Sequence, residues 1–113
     1  MVIVSDGPLT KQQQATLDVL IAAHPKISQV RLKDNVGRGC ARNEAIRHTR
    51  HELVFIMDSD DIALPHRFSK LVKAFVDDDS LGFVCGWARE FDDESGNTIS
   101  IKRCPEGDAA IRK

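Results

Sequence analysis

Three carboxylates stand within four residues at Asp58-Ser59-Asp60-Asp61, directly after the apolar run Leu53-Val54-Phe55-Ile56-Met57. Carboxylates crowded in this way repel one another, so the arrangement costs stability unless a cation or hydrogen-bond donors offset the charge. A hard divalent cation, Mn²⁺ or Mg²⁺, prefers such oxygen ligands and completes its shell with water and substrate phosphate. Asp58, Asp60 and Asp61 are therefore the candidate metal ligands. The competing role is local: Asp and Ser favour turns, and carboxylates suit the start of the helix that Pro65 opens. A calcium EF-hand loop is excluded, because its fifth, sixth and twelfth places, which need an oxygen ligand, Gly and Glu, hold Ile62, Ala63 and Ser69. A second constellation is Asp6-Gly7, and a third is the basic stretch from Lys33 to Arg42, with Gly37 and Gly39 inside it. Those glycines serve turn geometry or offer amides to a phosphate. Cys40, Cys85 and Cys104 are too widely spaced for a zinc site and are expected to be packing residues in a reducing compartment. His48 and His51 are expected to be solvated at a helix end.

The elements that must position these groups are legible as changes of period. Val2 to Ser5 is a short β-branched run stopped by Asp6-Gly7-Pro8, a turn signal. From Thr10, a cap, the pattern becomes helical, with Leu17, Leu20, Ile21 and His24 on one face and Pro25 closing it. Val30 and Leu32 alternate with charged residues as in a half-buried strand. Residues 35–39 form a loop, and 40–50 a helix with Ala41, Ala45 and Ile46 inward and a basic last turn. Residues 53–57, apolar on both faces, predict a central strand covered by helices on both sides. Phe68, Leu71, Val72, Phe75 and Val76 give the next helix a core stripe. Residues 82–91 and 98–103 are the arms of a hairpin turning at Glu94-Ser95-Gly96-Asn97, and 105–113 begin a further helix. The order β-α-β-α-β-α-β-β predicts an α/β fold with a mostly parallel sheet, flanking helices and a C-terminal β-hairpin. In such sheets ligands bind beyond the carboxyl ends of the strands, where all three charged constellations fall.

Composition narrows the partners. The chain has 113 residues, 42% hydrophobic and 29% charged, which predicts one domain spanning residues 1–113 with one modest core. Sixteen Lys and Arg against 17 Asp and Glu give a net charge of −1, which offers no global attraction to nucleic acid or an anionic membrane. No apolar stretch is long enough to span a bilayer, and no leader precedes Val2, so a soluble, cytoplasmic chain is expected.

Taken in order, Val2-Ile3-Val4-Ser5-Asp6-Gly7, Asn35-Val36-Gly37-Arg38-Gly39-Cys40-Ala41-Arg42-Asn43-Glu44-Ala45-Ile46 and Phe55-Ile56-Met57-Asp58-Ser59-Asp60-Asp61-Ile62-Ala63-Leu64-Pro65-His66-Arg67 resemble the family 2 glycosyltransferases of the GT-A fold. The bacterial members that build surface polysaccharides are the nearest in pattern. Each motif alone is weak; the ordered set, covering residues 2–91, is specific. The resemblance implies a nucleotide diphosphate-sugar donor, with a UDP-sugar favoured, a saccharide or lipid-linked acceptor and a divalent metal. It implies that Asp6 contacts the nucleobase, that Arg42 lies on the nucleotide side, and that Asp60 and Asp61 end the DXD motif that meets ribose and metal. Whether that motif runs from Asp58 or from Ser59 stays open. Trp87 is a packing residue or a sugar platform.

The departures from the family pattern carry expectations of their own. The family's first strand, with its P-x-Y-N segment, would precede Val2, and the acceptor half with the catalytic base would follow Lys113. Asp92, Asp93 and Glu94 are expected to be solvated turn residues. The chain is thus expected to be the donor-binding region of a transferase, membrane-associated in the parent protein. A folded piece that binds nucleotide weakly or not at all is the alternative. A haloacid dehalogenase-type phosphotransferase is a remote third reading, because Ile62 stands where its motif needs a hydroxyl. An exposed sheet edge in place of the first strand predicts a homodimer or strand-exchanged assembly.

Overall fold

The computed structural model describes residues 1–105 and 107 of the chain. They form two compact units, Met1–Asp58 and Ser59–Lys113. In the first, β1 (Val2–Ser5), α1 (Lys11–Ala23), β2 (Ser28–Arg31) and α2 (Arg38–Arg47) follow in order. β1 and β2 pair in parallel with Val2 opposite Ser28 and Ser5 opposite Arg31, and α2 packs against β1. The α1 crossover between parallel strands is the βαβ arrangement the sequence predicts.

Local chemistry accounts for α1. Thr10 is its N-cap: the hydroxyl accepts from the Gln13 N–H at 3.2 Å, and the Gln13 side-chain oxygen accepts from the Thr10 N–H at 2.9 Å. This reciprocal capping box satisfies two of the donors that a helix start leaves without partners. Side-chain amides then tie the helix to the strands. Gln29 on β2 donates to Ser5 Oγ at 2.8 Å and accepts from Gln14 of α1 at 3.1 Å. Ser5 is the only buried polar side chain among the described residues, and its hydroxyl is thereby satisfied.

The second unit holds α3 (Arg67–Asp77) and a hairpin of β3 (Ala88–Phe91) and β4 (Thr98–Lys102). The hairpin is antiparallel, Ala88 facing Lys102, with a bulge between Glu90 and Phe91. Asp92 organises its turn: Oδ1 accepts from the Ser95 N–H at 2.8 Å and from its hydroxyl at 2.6 Å, while Gly96 takes φ +70°. Asp92 is thus a turn residue, as its position predicts.

Three expectations are modified. Residues 53–57 belong to neither two-stranded sheet, and all five side chains are exposed. A strand apolar on both faces needs neighbours at both edges and helices over both faces, and a two-stranded sheet has no interior position to offer. For the same reason no hydrophobic side chain among the described residues is buried, where one modest core was expected. Pro65 lies in the turn before α3 rather than in its first turn, with His66 as N-cap. The parallel pair and the terminal hairpin agree with the predicted α/β class. The helix expected over 105–113 lies outside the described residues, apart from Pro105 and Gly107.

Candidate functional site

Asp6 directly follows β1, and its carboxylate bridges to the loop ahead of α2. Oδ1 accepts from the Val36 N–H at 2.7 Å and Oδ2 from the Gly37 N–H at 3.0 Å. The Gly37 N–H is shared with Asn35 Oδ1 at 3.1 Å. Two glycines make this approach possible. Gly7 has φ +98°, and a Cβ there would sit 3.1 Å from the Asn35 nitrogen. Gly37, the N-cap of α2, has φ +85° and no side chain to cap the helix. The anionic Asp6 clamp thus lies just before the N-terminus of a helix, where negative charge is favoured. A carboxylate has about four acceptor positions, so two amide bonds leave capacity for a ligand N–H.

Arg42 extends from α2 to Asp58, sixteen positions along the chain. Its Nη2 donates to Oδ1 at 2.7 Å and to Oδ2 at 2.8 Å, and both side chains are roughly two-fifths to one-third exposed, at 42% and 34%. The hydrogen bond from Arg42 holds the Asp58 carboxyl below its ordinary range. Partial desolvation opposes the shift, and the charges of Arg42 and Arg38 reinforce it. Arg42 keeps its other guanidinium donors, which suit phosphate and ribose oxygens. Both residues are singled out by sequence, but their pairing is not: it offsets part of the charge that makes the acidic cluster costly.

Asp60 and Asp61 fall in the second unit and are exposed. Among the described residues, no three His, Cys, Asp or Glu side chains converge as a metal cage. The chemistry of the donor set nonetheless fits a hard cation, since Mg²⁺ or Mn²⁺ in nucleotide sites takes only one or two carboxylates and fills its shell with phosphate and water.

A cleft of about 540 Å³ opens at the C-terminal ends of β1 and β2, against the start of α1. Ser5, Gly7, Thr10, Lys11, Arg31 and Leu32 line it. It flanks Asp6 without including Asp6 or Arg42. Sequence reasoning marks this strand edge as the place for a ligand but does not single out Lys11 or Arg31.

The model of the glycosyl transferase family 2 matches residues 1–110. An uncharacterised glycosyltransferase of Methanocaldococcus jannaschii is 32% identical over 98 residues, covering 87% of this chain and 33% of the relative. The UDP-Gal:alpha-D-GlcNAc-diphosphoundecaprenol beta-1,3-galactosyltransferase of Escherichia coli is 26% identical over 112 residues, covering 99% of this chain and 40% of that enzyme. The amylovoran biosynthesis glycosyltransferase AmsE of Erwinia amylovora is 36% identical over 72 residues, or 64% of this chain and 27% of AmsE. The chain therefore spans well under half the length of these relatives. No solved structure matches with comparable significance. The clamp of Asp6 on the N-x-G loop, the A-R-N arginine on α2 and the acidic run all fall inside the matched residues, and this chain belongs to glycosyl transferase family 2.

Proposed function

We propose that this chain is the donor-binding region of a glycosyltransferase that moves a sugar from a nucleotide diphosphate-sugar to an acceptor hydroxyl. The observation that carries this reading is the double tether around α2: Asp6 to the loop before it, and Arg42 from within it to the start of the acidic run. Asp6 uses its spare acceptor capacity on a nucleobase N–H, Arg42 turns its remaining donors to the nucleotide, and Asp60 accepts from ribose hydroxyls. Asp60 and Asp61 are the ligands for a divalent cation, with Asp58 retained by Arg42. When bound, such a cation stabilises the negative charge that develops on the departing diphosphate. The attacked carbon acquires oxocarbenium character, and a carboxylate base contributed by the rest of the parent protein takes the acceptor proton.

The name of the Escherichia coli relative specifies a UDP-Gal donor and an alpha-D-GlcNAc-diphosphoundecaprenol acceptor, and AmsE is named for amylovoran biosynthesis. Both support a UDP-sugar, a saccharide or lipid-linked acceptor and polysaccharide assembly here. The setting is cytoplasmic, at a membrane in the parent protein, although no described helix is long and apolar enough to cross one. Each strand of the β1–β2 sheet is an edge, so self-association through that edge belongs to the proposal.

Calorimetric titration of UDP, with and without Mn²⁺, tests the donor site. Binding that strengthens with Mn²⁺ and loses that increment in Asp61→Asn supports it; no Mn²⁺-dependent binding refutes it for this chain. The competing reading, a folded piece with little or no nucleotide affinity, draws on the absence of buried hydrophobic side chains among the described residues. The same titration separates the two.

A further inference from the structure

The start of α2 is fixed from two sides. Asp6 holds the Val36 and Gly37 amides at 2.7 and 3.0 Å, and Arg42 reaches Asp58 at 2.7 and 2.8 Å. Of residues 38–41, between these two tethers, only Arg38 is charged. It directly follows the clamped Gly37 and opens the helix, whose first turn closes with the Ala41 N–H on the Gly37 carbonyl at 3.0 Å. Arg38 and Arg42 lie one helical turn apart, so they share a face of α2 with Cβ atoms about 5–6 Å from each other. Their engagements differ. Both oxygens of Asp58 are taken by Arg42, and both of Asp6 by backbone amides. The exposed Arg38 guanidinium makes no direct hydrogen bond or ion pair with a described residue. A guanidinium carries its N–H donors in a planar fork matched to phosphate oxygens, and one without an internal partner gives up only water to bind them.

We propose that Arg38 is the phosphate-binding residue of the donor site. Its guanidinium donates to the non-bridging oxygens of a nucleoside diphosphate whose base lies at Asp6, while Nη2 of Arg42 stays committed to Asp58. Arg38 takes this role only within the donor-binding reading, on which the assignment rests. It adds the residue that separates a nucleoside diphosphate from the nucleoside alone. A base N–H on Asp6 is common to uridine and UDP, so that contact holds both alike. Arg38 instead meets a charge that only UDP carries, and it does so without a metal ion.

The test titrates the full chain with uridine and with UDP, each with and without Mn²⁺, and follows the binding by NMR, which reads weak affinities. Ionic strength is kept low, because salt screens exposed charges. Without Mn²⁺ the unaltered chain should prefer UDP to uridine. Arg38→Gln should bind UDP about tenfold more weakly, as expected for one exposed charge-assisted contact, with uridine binding and urea stability unchanged. Arg38→Lys, which keeps the charge but loses the fork, should fall between the two. Arg50→Gln removes the same charge beyond the far end of α2 and should bind UDP as the unaltered chain does. No preference for UDP without Mn²⁺, an unchanged UDP affinity in Arg38→Gln, or an equal loss in Arg50→Gln overturns this inference alone. Absence of any binding, even with Mn²⁺, refutes the donor-binding reading, and the role of Arg38 falls with it.

Discussion

Removing the Asp6 carboxylate tests whether this residue shapes the site as well as contacting a ligand. In Asp6→Ala, the Val36 and Gly37 amides lose acceptors at 2.7 and 3.0 Å. A hydrogen bond to a charged group contributes about 1.5–3 kcal/mol when water is kept away. Here both amide-bearing residues are exposed, so water replaces part of each bond and about 0.5–1 kcal/mol apiece survives. The expected loss is about 1–2 kcal/mol, on the order of tenfold in the folding equilibrium. Asp6→Asn keeps one acceptor oxygen and should lose about half as much. Urea denaturation measures the global effect, and amide hydrogen exchange at Val36 and Gly37 measures the local one. UDP affinity, followed in the same variants, should fall further in Asp6→Ala than in Asp6→Asn. The reasoning is refuted if both amides exchange at free-peptide rates in the unaltered chain. It is equally refuted if Asp6→Ala weakens UDP while leaving stability and exchange unchanged, since Asp6 would then act on the ligand alone.

Two further outcomes follow from the second unit. His66 is the only described non-glycine residue with positive φ, at 67°, and its backbone carbonyl already serves Ser69 and Lys70. His66→Gly should raise stability by about 0.5–1 kcal/mol, after the greater freedom of unfolded glycine is subtracted from the relieved strain; a loss in thermal unfolding would mean that the imidazole has a role of its own. Glu90 is held below its ordinary value of 4.5, chiefly by Lys102 and then by Ser100. A depressed carboxylate stabilises the fold above its unfolded pKa, and that contribution is lost as pH falls through the folded value. Cross-strand contacts of the hairpin, followed by NMR, should therefore weaken below about pH 4.5 in the unaltered chain and show a flatter profile in Glu90→Gln; identical profiles would remove Glu90 from the hairpin's acid response.

Local signals were legible in the sequence and tertiary ones were not. Thr10 and the apolar spacing of α1 act within a few residues, and the structure places the cap where the sequence does. The hairpin turn is equally local, with Asp92, Ser95 and Gly96 supplying its bonds. By contrast, a strand at 53–57 depends on neighbours that two-stranded sheets do not provide. The same divide runs through the site. Asp6 was visible as a carboxylate after a strand, but its partners are backbone amides thirty positions away, which have no side-chain signature. Arg42 and Asp58 were each visible, yet assigned to nucleotide and metal separately. Their ion pair depends on how α2 is aimed, and helical periodicity does not report that.

The ion pair also bears on which carboxylates meet a metal. Asp58, Asp60 and Asp61 together carry three negative charges; Arg42, at 2.7 and 2.8 Å from both oxygens of Asp58, neutralises one. In the proposed site the two that remain would match the charge of a divalent cation, whose shell phosphate and water would complete. A cation displacing Arg42 would leave the guanidinium without its partner, whereas a cation taken at the exposed Asp60 and Asp61 leaves the Arg42–Asp58 pair intact. The metal site we propose therefore takes the frame beginning at Ser59 rather than the one beginning at Asp58. The expected signature is a division of labour. Asp58→Asn should weaken UDP binding by a similar factor with and without Mn²⁺, because it frees Arg42 and loosens its aim. Asp61→Asn should abolish the Mn²⁺-dependent increment and leave metal-free binding nearly unchanged. Misplacing a positioning group by about 1 Å costs up to about a hundredfold in rate, so turnover in the parent protein should fall in both variants, and only the metal dependence separates them. If Asp58→Asn alone erases the Mn²⁺ effect while Asp61→Asn retains it, the frame starts at Asp58, and Arg42 must yield its partner whenever the metal binds.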